Sequence, residues 1–260
     1  MINLLFLSPV VATGRALSCQ EEHMTKQLLD VVYVLKSNID PEELRYSLRS
    51  VEKNFPHRYV WFVGSQPEGF QPDRMLRHRQ PPELNKWNRI KSSMLKVVEE
   101  PELSEEFFWF NDDFFVMKPF KGKFVNYADK SLTELIEQQR ESHKWLGPYA
   151  RTLVKAREEL KALKKPEVNF EVHMPMLFEK SKVAEAIMTC SSPQMRSIYG
   201  NVTGCKWKQH NDVKVYDLEE VPDDPDFLST NDKTFMDGAV GAYIRAAFPE
   251  PSRFEVPGGV

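Results

Sequence analysis

Apolar residues fall along this chain in short runs separated by longer amphipathic stretches. Asp30–Lys36 (DVVYVLK) is an apolar, β-branched run and predicts a buried strand. Asp40-Pro41 then supplies an N-cap and a first-turn proline. Leu44, Leu48, Val51 and Phe55, spaced four, three and four, define one apolar helix face, which Asn54-Phe55-Pro56 terminates. Arg58–Gly64 (RYVWFVG) predicts a second strand. This is the opening βαβ of an α/β sheet, where ligands bind beyond the carboxyl ends of strands. Residues 65–83 form a proline-punctuated loop with a short strand near Met75–His78. Leu84–Val98 reads as a helix with Leu84, Trp87, Met94, Leu95 and Val98 on its apolar side. Glu106–Phe110 (EFFWF) is a third buried strand, running straight into Asn111-Asp112-Asp113 and then Phe114–Met117.

The second half continues the alternation. Ser131-Leu132-Thr133-Glu134 matches a capping box and opens a helical region, interrupted at Gly147-Pro148 and resumed over Tyr149–Lys165. An extended piece over Val168–Leu177 precedes helices at Lys180–Cys190 and near Pro193–Tyr199. Asp212–Leu218 alternates like a strand, Val221–Asp226 is an acidic loop, and Phe235–Phe248 is one last helix closed by Pro249 and Pro251. The pattern predicts one mixed α/β domain over residues 30–260. Residues 131–166 form a helical insertion or lid, and residues 1–29 a peripheral segment.

Composition narrows the class. The 260 residues carry 35 Lys+Arg against 38 Asp+Glu, a net charge of −3, which argues against a nucleic-acid binder. Hydrophobic residues make up 41 %, enough for a substantial core, yet no apolar run approaches the roughly 20 residues that span a bilayer. The apolar stretch Ile2–Ala12 lacks a basic start and reads as a peripheral strand or poorly ordered start rather than a secretion signal. Cys19, Cys190 and Cys205 cannot all pair and none stands in a CxxC, so reduced thiols and a cytoplasmic location are expected.

The sharpest chemical feature is Phe110-Asn111-Asp112-Asp113-Phe114. Ionised carboxylates resist burial unless paired or bound to a cation. At the exit of a strand, two of them suit Mg²⁺ or Mn²⁺, which would bridge diphosphate oxygens. The plainer reading is an Asn-Asp turn inside a hairpin. Arg45 and Arg49, four apart, read either as a surface ion-pair ladder with Glu42 and Glu52 or as a pair meeting phosphate oxygens. His173, inside Glu171–Met176, reads as a core histidine or as a proton-transfer group. Arg196, near a helix end, is a phosphate ligand or a surface residue. Asn231 and Asp232 are explained by capping alone. The six basic and two acidic residues of 151–165 read as a solvated helix face, with a meeting surface for an anionic acceptor as the alternative.

In this order, the segments resemble the Stealth family of sugar-phosphate transferases, which includes bacterial capsular polysaccharide phosphotransferases and the animal N-acetylglucosamine-1-phosphotransferase. The resemblance is carried by Asp30–Tyr33 with Glu43–Val51, by Phe108–Phe114, by His173-Met174-Pro175, and by Asn231-Asp232 through Phe248–Glu255. It implies a glycosyltransferase-A-like α/β fold, a nucleotide-sugar donor, and transfer of a sugar 1-phosphate to a hydroxyl of a glycan or related polymer. It places Asp112 and Asp113 in the metal and phosphate centre and His173 beside the transferred phosphate. Arg196 takes the place of a phosphate-contacting arginine, and Asp30 stands at the end of the first strand near the donor. Where the family carries Trp-Val-Asp-Gly after that strand, this chain has Val34–Asn38, so Lys36 brings a positive charge where an acid is usual. Asp112, Asp113, His173 and Arg196 are thus the catalytic candidates. Asp30, Lys36, Arg45, Arg49, Asn111, Asn231 and Asp232 are the donor-binding candidates. A glycosyltransferase releasing a nucleoside diphosphate and an inactive glycan- or nucleotide-binding module are the rival readings.

Overall fold

The computed structural model describes residues 28–36, 39, 41–121, 123–143 and 147–256. Asp40, Cys19 and the Ile2–Ala12 stretch lie outside them. In chain order the elements are β1 (Asp30–Leu35), α1 (Pro41–Asn54), β2 (Val60–Gly64), β3 (Arg74–Arg77), α2 (Lys86–Glu99), β4 (Glu106–Phe110), β5 (Phe114–Val116), β6 (Asn126–Ala128), α3 (Leu132–His143), α4 (Pro148–Ala162), β7 (Met176–Glu179), α5 (Lys180–Thr189), α6 (Met195–Thr203), β8 (Trp207–Gln209), β9 (Phe227–Ser229), α7 (Asp232–Met236) and α8 (Ala239–Ala247). The fold is mixed α/β. One sheet runs β3-β2-β1-β4-β7, parallel throughout except for β7, which is antiparallel to β4.

Both faces of the sheet's centre are covered, so β1, β2 and β4 carry near-continuous apolar runs (residues 31–35, 60–63 and 107–110) rather than alternating ones. Val31, Tyr33 and Leu35 of β1, with Phe108 and Phe110 of β4, pack against Leu44, Leu48 and Val51 of α1. Val32, Phe107 and Trp109 face the other way, onto Met94 and Val97 of α2. The same second core contains Leu132 and Ile136 of α3 and Leu153, Ala156 and Leu160 of α4. The helices of 131–166 are therefore built into the main core, not held above it as a lid. The basic residues of α4 lie around this buried stripe.

Two serines of α1 fix the course of the chain after β4. Ser47 donates to the carbonyl of Phe114 at 2.5 Å and lies 2.8 Å from the Tyr33 hydroxyl. Ser50 accepts from the amide of Val116, and the Asn54 side chain donates to the Val116 carbonyl. β5 thereby docks on α1 and pairs with β9 instead of folding back on β4, so Asn111–Asp113 is not the tip of a hairpin.

Several expectations change. Asp212–Leu218 forms no strand; only Lys214 makes an isolated bridge, to Ser229. Val215 is buried in a third core while Lys214 beside it reaches Asp113 and Tyr216 is exposed, and this gives the period-two pattern without a sheet. The single last helix is two, because the backbone turns extended at Gly238 (φ −90°, ψ 161°), where it passes so close to Thr234 that a Cβ would stand 2.5 Å from the Thr234 carbonyl oxygen. Leu95, expected on the buried face of α2, is exposed, and Ser93 takes a buried place.

Glu255 closes the domain. Its carboxylate accepts from Arg49 at 2.7 and 2.8 Å and from Arg45 at 2.8 Å, while Arg49 also reaches the carbonyls of Phe248 and Pro249. Burial works against the ionised form, but the hydrogen bonds from Arg49, the Ser252 amide and Arg45 outweigh it and hold the carboxyl at about 2. A group whose folded value lies below its unfolded one contributes stability above the unfolded value and loses it as pH falls through the folded one. Glu255→Gln is expected to lower unfolding free energy by roughly 2–3 kcal/mol at pH 7. The gap to wild type should shrink as pH falls from about 4.5 towards 2, as read by urea unfolding at several pH values.

Candidate functional site

In an open sheet, the crevice beyond the carboxyl ends of strands lies where connections leave in opposite directions. Here that point is between β1, whose chain continues to β2, and β4 on its other side. Lys36 follows β1 and Asn111-Asp112-Asp113 follows β4, so the twin acids stand at this switch point. The Phe114 amide donates to the Asn111 carbonyl, closing the turn that carries them.

Asp113 is held from one side only. Its Oδ2 accepts from Lys214 Nζ at 2.7 Å and from Ser229 Oγ at 3.3 Å, while its Oδ1 is buried with no hydrogen-bond partner among the described residues. Burial and the adjacent Asp113 push the Asp112 carboxyl up to about 6, with Lys36 and Lys214 partly offsetting them. Glu43, in the first turn of α1, is buried behind the pair and accepts from Thr230 at 2.8 Å. Burial, then the charges of Asp113, Asp112 and Asp232, push it up to about 7 against that hydrogen bond.

Arg196 is 3 % exposed. Its guanidinium sits 4.5 Å from the Trp109 ring and 4.9 Å from the Phe114 ring, and donates to the Met174 carbonyl and Asn111 Oδ1. Burial lowers its pKa to about 10, so it stays charged at neutral pH. His173 has φ +43°, in the left-handed region that a β-carbon disfavours by about 1–3 kcal/mol. Its Nδ1–H donates to both Asp212 oxygens at 2.9 Å. With Nδ1–H so engaged in a neutral ring, Nε2 carries the lone pair. Asp212 and Lys214, two residues apart, therefore reach His173 and Asp113 from one segment, which the backbone of β9 holds through Val213 and Val215. Asn111, Asp113, His173, Arg196, Asp212 and Lys214 all line one cavity of about 590 Å³.

No family model matches this chain. Over 118 residues it is 30 % identical to capsular polysaccharide phosphotransferase fcs1 of Haemophilus influenzae. That match covers 39 % of this chain and 31 % of the relative, so the chain spans less than a third of that protein's length. Among solved structures, the glycosyltransferase GlyE of Streptococcus pneumoniae TIGR4 aligns with a TM-score of 0.38 at 8 % identity, covering 71 % of this chain and 45 % of that one.

The expected site residues thus divide. Asn111, Asp113, His173 and Arg196 share the cavity; Asp112 and Lys36 do not line it, but follow β4 and β1 within electrostatic reach of one another. Asp30 does not stand near a donor: it opens β1 at the opposite end of the sheet, fully buried, and its oxygens accept from Arg58 at 2.8 and 2.6 Å and from the Ser104 amide. Arg45 and Arg49 are taken up by Glu255 and meet no phosphate position. Asn231 caps α7 in a reciprocal box with Thr234, and Asp232 lies in that helix's first turn. Asp212, Lys214 and Glu43 were not anticipated. The first two sat inside an apparent strand, and the third is a glutamate in a helical first turn, a place where acids are common.

The donor set suits a hard divalent cation only if substrate completes it. Among the described residues no group of three or more His, Cys, Asp or Glu is placed to hold a metal ion. Mg²⁺, however, is commonly held by one or two carboxylates with phosphate oxygens and waters. The unpartnered Asp113 Oδ1 and the crowded Asp112 carboxyl fit that arrangement.

Glu43 gives a test of the crowding. A carboxyl whose folded pKa is raised above its unfolded 4.5 destabilises the protein progressively as pH climbs from 4.5 through about 7. Glu43→Gln is expected to gain stability over wild type across that interval, reaching on the order of 2 kcal/mol at pH 8 without added divalent cation. Urea unfolding at pH 5 and pH 8 reads the difference.

Proposed function

We propose that this chain is a transferase that moves a sugar 1-phosphate from a nucleotide-sugar donor to an acceptor hydroxyl. The observation that carries the reading is the joint presence of Asp113, His173 and Arg196 around one cavity, each held in place by a separate partner. The name of the Haemophilus influenzae relative, a capsular polysaccharide phosphotransferase, supports the same class.

In this reading the acceptor hydroxyl attacks the sugar-bearing phosphorus in line. The hydroxyl proton passes to His173 Nε2, and Asp212 stabilises the imidazolium that forms. A new acceptor O–P bond is made as the bond from phosphorus to the bridging oxygen breaks, and a nucleoside monophosphate leaves. Arg196, buried between Trp109 and Phe114, and Lys214 supply fixed positive charge to the phosphoryl oxygens. Lys36 faces the donor's diphosphate from the end of β1, on the side of the departing nucleoside monophosphate. Asp112 and Asp113 would hold Mg²⁺ or Mn²⁺, which when bound neutralises charge on the leaving group.

Two outcomes test this. Incubation with a panel of nucleotide sugars, with and without Mg²⁺ or Mn²⁺, is expected to release a nucleoside monophosphate, identified by mass spectrometry. Release of the diphosphate instead would assign transfer of the sugar itself, and donor binding without turnover across a broad acceptor panel would assign a binding module. His173→Ala and Asp113→Asn should each lower turnover at least about 100-fold. Both variants should keep cooperative thermal unfolding, and near-native rates in either would remove its residue from the mechanism.

A further inference from the structure

The 590 Å³ cavity extends well beyond the reacting groups. None of its walls comes from β1 or β2, and Lys36 does not line it. From Asn111 and Asp113 it runs away from the switch-point crevice, towards α2, α3 and the start of α4. A donor diphosphate engaged at the switch point therefore leaves this outer part free for the second substrate. There Trp87 of α2 and Tyr149 of α4 present rings 30° from parallel, with centroids 6.4 Å apart. Around them stand planar polar side chains: Gln139 of α3, Asn169, Glu171 and Asp129.

We propose that this outer part is the acceptor subsite, where a saccharide ring lies against Trp87 and Tyr149. The inference rests on the transferase reading for the word acceptor, but the binding chemistry stands on these residues. The C–H face of a pyranose carries partial positive charge and matches the negative face of an aromatic ring. Its hydroxyls each donate and accept, and amide and carboxylate side chains answer both roles. A nucleotide fits this region poorly. Glu171 sets a negative charge against phosphate there. The two lysines of the outer wall are already engaged: Lys130 with Asp129 and Gln138, Lys86 with its ammonium 4.8 Å from the Trp87 ring centre. Half-buried Trp87 is joined to Tyr149 across two helices, so the platform is fixed by the same packing that builds α3 and α4 into the core.

The test is saturation-transfer NMR on the full chain with the methyl glycosides of glucose, galactose and N-acetylglucosamine, and with uridine and cytidine monophosphates in parallel. Ring protons of at least one glycoside are expected to receive saturation. That transfer should weaken at least about fivefold in Trp87→Ala and persist in Trp87→Phe, which keeps an aromatic face. The proposal is overturned if no glycoside binds, if Trp87→Ala binds as wild type does, or if the variant instead loses the signal from the nucleotide base protons. The readout needs no turnover. A failed transferase reading, in which no donor releases any nucleotide, is thus separate from a failed subsite.

Discussion

Two carboxylates leave, side by side, a strand that ends in four aromatic residues, and the rest of the site depends on how their charge is balanced. β4 lies between β1 and β7 with Phe107 to Phe110 buried, so the chain emerges at Asn111 from a region that cannot solvate an ion. The balance comes from three separate parts of the chain. Lys214 pairs with Asp113, Lys36 faces Asp112, and Arg196 is anchored on Asn111 and the aromatic rings beside it. The balance is incomplete. One Asp113 oxygen has no hydrogen-bond partner among the described residues, and both Asp112 and Glu43 are pushed towards the protonated form. An excess of buried negative charge at a strand exit, ringed by fixed cations, is suited to receive a cation together with a phosphate ester.

The scaffold holds these groups through α1 and β9. Ser47 and Ser50 tie β5 to α1, which sets the direction of the turn at Asp112-Asp113. β5 in turn pairs β9, and β9 carries the backbone of the segment that delivers Asp212 to His173 and Lys214 to Asp113. The left-handed backbone at His173 adds a local strain, which persists only because the surrounding packing and the Asp212 pair over-determine it. One chain of contacts thus runs from the arginine-serine helix to the imidazole. Arg45 and Arg49 take part in it only by fastening the tail through Glu255.

Much of this was legible in the sequence because the strongest elements are locally determined. β1, α1, β2 and β4 announce themselves by apolar run and by spacing, and the Ser131–Glu134 box forms as its residues suggest. The adjacent acids at 112 and 113 and the histidine at 173 stand out because their chemistry conflicts with their apolar surroundings. The features that were not legible depend on distant partners. Two arginines four apart look like a phosphate clamp until a glutamate some 206 residues away takes them up. Asp30 looks like a strand-end ligand until Arg58 closes on it at the opposite end of the sheet from the twin acids. Asp212 and Lys214 were hidden because alternate residues that face a core and a cavity have the same period as a strand.

The central claim is spatial: segments from the ends of β1 and β4, from the 173 turn, from α6 and from the 212–214 segment surround the reacting phosphate of one substrate. The most direct measurement is a crystal structure of the chain with UDP-N-acetylglucosamine or another nucleotide sugar that it binds. The account predicts the sugar-bearing phosphate within hydrogen-bond reach of His173 Nε2 and the Arg196 or Lys214 nitrogens, with the diphosphate over the crevice between Lys36 and Asp112. A diphosphate seated elsewhere, with His173 and Asp113 both out of contact with it, would contradict the account.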